Sequence, residues 1–196
     1  MPLIVILAGP ADTVASDVAD IVDVGSALGL ALNIAKCELI AHQDFVSKDR
    51  VLQKFKRVEI GNATLLGAPL FSGTILDEAW SARCVDLARA INRWRLINAQ
   101  DALILLRSSF STPKVLNLLC CSPSVSHPLL QSFDLLLRSA IQSITNSDLT
   151  DIQWIQTSLT VKDGGLGIRC VSLLVLPAFL ASAASTLHLQ EDILSG

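Results

Sequence analysis

Charge is scarce in this chain. Its 196 residues include 15 basic and 18 acidic side chains, 17% of the total, against 51% hydrophobic residues, where a soluble domain carries roughly 25% charge. Disorder is excluded, because a chain this apolar has ample material for a core. The mean hydropathy of +0.53 points to a segment normally buried against something else. The net charge of −3 excludes a general nucleic-acid coat.

Other absences narrow the chemistry. The five cysteines, Cys37, Cys84, Cys120, Cys121 and Cys170, form no Cys-x-x-Cys, and the adjacent pair is poorly placed to bridge itself. They read as reduced, buried thiols of an intracellular protein, cytoplasmic or nuclear. His42, His127 and His188 are scattered without metal-ligand spacing. A Gly-x-Ser-x-Gly elbow is missing. Gly164-Gly165-Leu166-Gly167 lacks the spacing and the Lys-Ser/Thr ending of a phosphate loop, and reads as a structural turn. Met1-Pro2 and the short apolar run Leu3–Ala8 make no secretory leader. Cys170–Leu189 is uncharged over 20 residues, the length of a bilayer span, but Pro177 and several small polar residues favour a buried helix and no membrane.

What charge there is lies unevenly. Residues 1–45 hold six acids and one base, residues 46–114 eleven bases and six acids, and residues 115–196 three bases and six acids. The middle is therefore the place for an anionic partner. The sole early cation, Lys36, stands on an otherwise apolar stretch, Gly29–Ile40, that reads as a helix stop followed by a strand.

In chain order, Leu3–Leu7 is β-rich and predicts a covered strand. Val14, Val18, Ile21, Val22, Gly25 and Leu28 form one face of a helix over 11–28, with Asp17, Asp20 and Asp23 on its solvated side. Phe45–Arg57 is basic, with Lys48, Arg50, Lys54, Lys56 and Arg57. Val58–Ile60 and Thr64–Leu70 predict two strands closed by a Gly61-Asn62 turn. Thr74-x-x-Asp77 is a capping-box-like start for a helix to about Ile97, with Leu76, Trp80, Cys84, Leu87, Ile91 and Trp94 as its apolar stripe and Arg83, Arg89, Arg93 and Arg95 away from it. Further helices are predicted from Asn98 to Phe110, Thr112 to Leu119, Pro128 to Thr145, Asp148 to Thr157 and Val171 to Leu187. The expected class is α+β and mostly helical: a small α/β part of three to four short strands and one helix over 1–74, and a helical bundle over 75–196.

Gly29-Leu30-x-Leu32-Asn33-x-x-Lys36-Cys37-Glu38 and Leu65-Leu66-Gly67-Ala68-Pro69 together resemble the C-terminal part of the reverse transcriptase domain of non-LTR, LINE-like retroelements. Phe133-Asp134 with Leu136, Leu137 and Arg138, then Trp154-x-Gln156 and Gly164-Gly165-Leu166-Gly167-Ile168-Arg169, resemble the helical region after the palm. The resemblance implies a palm helix at Ala11–Leu28, a general-acid position at Lys36, a primer grip at Leu65–Leu70 centred on Leu66 and Gly67, and a thumb opening at Leu76–Ile97. Lys54, Lys56 and Arg57 with Arg89 and Arg93 would then touch the backbone of primer-template RNA/DNA, weakly.

The same resemblance implies two magnesium ions held by aspartates, two of them in an Asp-Asp hairpin. Aligned without gaps, those two positions are Leu3 and Ile4, and no Asp-Asp pair occurs in the chain. The fingers and the first catalytic aspartate would lie before Met1. Cys120 and Thr160 also stand where relatives commonly have arginine and proline. The expectation is a truncated or decayed reverse transcriptase segment with no polymerase activity, no cofactor and no metal site, Lys36 being vestigial. The alternative is a non-enzymatic nucleic-acid-binding module using the basic 46–114 segment.

Overall fold

Helix starts and stops set the layout. The computed structural model describes residues 5–42, 45, 49–189 and 191, and divides the chain into two compact units, 1–60 and 61–196. Leu3 and Ile4 lie outside the described residues, and Val5, Ile6 and Leu7 are not in a strand. Val5 and Ile6 are more than half exposed, so the strand expected at Leu3–Leu7 is corrected over its described part. Among the described residues no strand pairs with it, and β propensity without a partner forms no strand.

In the first unit, helix α1 spans Ala11–Ala27, with Pro10 at its N-cap and Gly29 in the left-handed region just beyond its end. Its apolar stripe is only partly used: Val18 is buried, while Val22 and Leu28 remain exposed. Strands β1 (Glu38–Ile40) and β2 (Lys56–Val58) pair in parallel, with Glu38 opposite Lys56 and Ile40 opposite Val58. Lys36 is not on the strand. It closes a 3-10 turn, Ile34–Lys36, in which the Asn33 carbonyl accepts from Lys36 N–H and the Ile34 carbonyl from Cys37 N–H. The alternation Leu30, Leu32, Ile34 is therefore not a strand but an open approach to that turn.

The predicted hairpin is corrected as well. Gly61-Asn62 belongs to a 3-10 turn, Ile60–Asn62, and joins no strand pair; β2 has its partner in β1. The hairpin instead lies wholly within β3 (Thr64–Leu65) and β4 (Ala68–Pro69) of the second unit. Its two-residue loop, Leu66-Gly67, has positive φ at both positions, 50° and 81°, the primed turn whose twist matches paired strands.

The second unit is otherwise helical: α2 (Thr74–Trp94), α3 (Ala99–Leu105) running into a π-helical turn Leu106–Phe110, α4 (Thr112–Cys121), α5 (Pro128–Thr145), α6 (Asp151–Ser158) and α7 (Val171–Ser185). α2 packs chiefly on α5, and α4 on α7. The α2 stripe enters the core through Leu76, Trp80, Leu87 and Trp94, meeting Leu130, Phe133, Leu137 and Ile141 of α5. Each such side chain contributes roughly 1.5–3 kcal/mol by leaving water. The Trp80 indole sets the middle of this core. It is edge-on to Phe133 and stacked beside His127, and its Nε1–H donates to Ser124 Oγ at 3.0 Å, so the one polar atom of the ring is satisfied where it is buried.

Helix starts came out unevenly. Asn98 caps α3, its side chain accepting from Asp101 N–H at 2.8 Å, and Thr150 and Gln153 form a reciprocal capping box on α6. Thr74 does not cap α2. Gly73 holds the cap position, Thr74 Oγ1 donates to Asn62 Oδ1, and Asp77 turns instead to His127 at 2.9 Å. That histidine starts α5: its Nδ1 accepts from Leu129 N–H at 3.2 Å, which leaves the Nε2–H to donate to Asp77. The cap that sequence spacing assigns to Thr74 is lost because a tertiary partner claims its would-be N3 carboxylate.

Among the described residues no helix is long and apolar enough to cross a membrane. Pro177 lies inside α7, whose inner side, Val171, Leu174, Val175 and Ala178, joins the core while Leu173, Leu176 and Leu180 stay exposed.

Candidate nucleic-acid interface

In the first unit the predicted cations have unequal freedom. Lys36 and Lys54 are exposed, each ending a 3-10 turn. Lys56 Nζ sits 3.1 Å from Glu38 Oε1, a cross-strand pair fixed by the parallel register. Arg57 is committed to the backbone: its guanidinium donates to the carbonyl of Phe45 at 2.6 Å and to that of His42. It ties the crossover between the strands. Lys48 lies outside the described residues.

In the second unit the hairpin tip presents Leu66 with 79% of its surface open. A branched side chain on a left-handed residue is strained, and here it is also an exposed hydrophobe. The strain comes with a tight turn at the tip of the hairpin.

The sharpest grouping of charge is on α2 and α4. Asp86 Oδ2 lies 3.2 Å from Lys114 Nζ and 3.7 Å from an Arg83 nitrogen, and its Oδ1 lies 3.6 Å from Arg89. Three cations thus surround one carboxylate, a local excess of positive charge. Arg89 is the most open, its side chain 60% exposed. The Nε of Arg83 is buried with no hydrogen-bond partner. Lys114 also lies over the Phe110 ring, 5.7 Å from its centre, and that ring is held edge-on to Trp94 at 5.3 Å. Arg93 is exposed, one turn beyond Arg89, with no acidic partner among the described residues.

Of the residues singled out from sequence, Arg89 joins this cluster and Arg93 extends its row. Leu66 and Gly67 share the hairpin, and Lys54, Lys56 and Arg57 lie in the other unit. Lys114 was missed. It follows a Thr-Pro helix start far along the chain from Asp86, and only packing of α4 beside α2 brings it in.

The motifs of the helical region have structural employment. Phe133 and Leu137 are fully buried. Asp134 accepts from the backbone amides of Val171 and Ser172 at 2.6 and 3.0 Å and from the Cys170 thiol at 3.0 Å. Burial first, and the Asp134 carboxylate next, push the Cys170 thiol pKa up. Arg138 donates to Asp151 Oδ1 at 2.8 Å and to the Leu149 carbonyl, joining α5 to the start of α6. The glycine turn closes on α6: Gly167 N–H donates to the Leu159 carbonyl, and Leu166 and Ile168 N–H both donate to that of Thr157. At Gly165 the backbones are so close that a Cβ would lie 2.2 Å from the Leu159 oxygen.

Leu3 and Ile4 offer no oxygen donor in their side chains, and among the described residues no cluster of His, Cys, Asp or Glu is placed to hold a metal ion. No family model, curated protein or solved structure matches the chain.

Proposed function

We propose that this chain is a catalytically silent segment of a non-LTR-type reverse transcriptase, a palm remnant with a thumb, that holds the sugar–phosphate backbone of a primer-template duplex without extending it. The observation that carries the reading is the convergence of Arg83, Arg89 and Lys114 on Asp86, continued by Arg93. Arginine and lysine gathered from two adjacent helices recognise phosphate by charge and by forked hydrogen bonds. Such contacts position a duplex and carry no sequence information. Silence follows from Leu3 and Ile4 at the aligned aspartate positions, since without metals a general acid at Lys36 has no pyrophosphate to protonate.

The experiment is a pair of assays on the purified chain. Primer extension with template, primer and magnesium should give no incorporation above a no-enzyme blank, and extension from a clean preparation overturns the silence. Binding of primer-template RNA/DNA should weaken with salt, and the Arg89→Ala/Arg93→Ala/Lys114→Ala variant should flatten the salt slope by about two to three phosphate contacts. Equal slopes for variant and parent overturn the interface.

A further inference from the structure

We propose that the outer face of α7 pairs with the same face of a second copy of this chain, the two helices running antiparallel about a two-fold axis at Leu180. One side of α7 packs into the core, while on the other Leu173 and Leu180 are more than half exposed and Leu176 nearly half. Past a single turn residue, Thr186, the backbone is helical again at 187–189 and 191, which adds Leu187, also more than half exposed, and Glu191. Counted outward from Leu180, the sequence reads alike in both directions. Four residues away stand Leu176 and Ala184, seven away Leu173 and Leu187, and eleven away Arg169 and Glu191. Steps of four, seven and eleven return to one face of a helix. Ala184, Arg169 and Glu191 are exposed as the leucines are.

Charge chooses both the occupant and its direction. Between Arg169 and Glu191 the sequence has no Lys, Arg, Asp or Glu, so the face is apolar with one cation at its start and one acid at its end. A parallel pair would set like charges together at both ends. An antiparallel pair sets the Arg169 of each copy beside the Glu191 of the other, in the same register that brings Leu180 onto Leu180, Leu176 against Ala184 and Leu173 against Leu187. Each large side chain off the axis then meets a smaller or equal one. The helix dipoles agree, since an arginine at the start and a glutamate at the end each oppose the dipole of their own helix and suit that of an antiparallel neighbour. A lipid surface fits less well: the rim holds one cation and one acid where an interfacial helix carries several cations. Among the described residues no helix is long and apolar enough to cross a membrane. The 15 residues of α7 run roughly 22 Å, a seam smaller than a standard interface, so the dimer is weak, with a dissociation constant on the order of 10–100 μM.

Sedimentation equilibrium of the full chain, up to about 1 mM, tests this. The parent should fit a monomer–dimer equilibrium. Leu180→Glu, which opposes two carboxylates on the axis, should leave a monomer with unchanged far-ultraviolet circular dichroism; Leu180→Gln takes its place should that variant fail to fold. Arg169→Glu should weaken the dimer about tenfold, and Arg169→Glu/Glu191→Arg should restore it to within about twofold, because the swapped pair attracts again. That recovery is what a partner other than a second copy would not produce. The proposal is overturned by a parent that stays monomeric, by a dimer that survives Leu180→Glu, or by a charge swap that fails to recover what Arg169→Glu loses. A monomeric parent that floats with phosphatidylcholine vesicles, and no longer does so as Leu180→Glu, overturns it in favour of lipid.

Discussion

Asp134, in the middle of α5, accepts the backbone N–H of Val171, the first residue of α7, at 2.6 Å. Its second oxygen takes the Ser172 N–H at 3.0 Å. The helix has no side-chain cap of its own at Cys170, so a carboxylate from another helix supplies it, favoured by the positive end of the helix dipole. Asp134→Ala should cost about 2–3 kcal/mol in urea unfolding, since it leaves the buried amide of Val171 and the half-buried amide of Ser172 without acceptors. Asp134→Asn, which keeps one acceptor oxygen, should cost less; equal losses would mean that packing and not capping is at stake.

The same carboxylate acts on a thiol. Because burial and Asp134 raise the Cys170 pKa above its ordinary value of 9.0, the folded chain holds that proton more tightly than the unfolded chain does. The resulting stability is complete below pH 9 and is lost as the pH rises from 9 through the folded value. Cys84, raised by burial alone, adds in the same direction. Urea midpoints measured from pH 8 to 10.5 should fall, and a Cys84→Ala/Cys170→Ala variant should flatten the fall. Alkylation of Cys170 should lag that of the exposed Cys121.

Gly165 and Gly164 make an internal comparison. A methyl group at Gly165 would meet the Leu159 and Gln156 carbonyl oxygens at 2.2 and 2.7 Å, whereas Gly164 has open space but a φ of +81°. Gly164→Ala should cost roughly 1 kcal/mol for the left-handed backbone. Gly165→Ala should cost more than about 3 kcal/mol, because one of two hydrogen-bonded backbones must move. Thermal unfolding of the two variants side by side checks the ranking.

At the hairpin tip, Leu66 occupies a position suited to asparagine. With φ of 50°, and with its side chain in water, it contributes no packing to offset the strain. Leu66→Asn should stabilise the chain by about 1 kcal/mol. On the proposed function, the same change tests whether the leucine touches primer: duplex affinity should fall as stability rises. Unchanged affinity would assign Leu66 no contact.

Asp86 opposes the cations it gathers. Asp86→Asn should release Arg89 and Lys114 toward phosphate and tighten primer-template binding about fivefold at low salt, a surface pair being worth ~1 kcal/mol at most. Filter binding at two ionic strengths measures this, and the gain should shrink as salt rises. Weaker binding would make the cluster a purely structural tie between α2 and α4.

Sequence alone determined the helices of the second unit and their buried faces. The spacing of Leu76, Trp80, Leu87 and Trp94 repeats at the helical period, and Asn98, Pro113 and Pro128 mark starts within a few residues, whereas the helix expected from Asp148 begins at Asp151 behind a Thr150 cap. Such signals are local and survive whatever packs around them. The strands and the site were decided by tertiary structure. Lys36 was drawn from strand into turn, and the hairpin moved from Gly61-Asn62 to Leu66-Gly67, because a two- or three-residue strand exists only by its partner. Asp77 left its expected cap for His127, Asp134 became the cap of α7, and Lys114 joined Arg83 and Arg89 at Asp86. Each of these is a charge or polar group answering a partner brought near only by folding. Hydrophobic periodicity is written along the chain, but the pairing of its few charges is written across it.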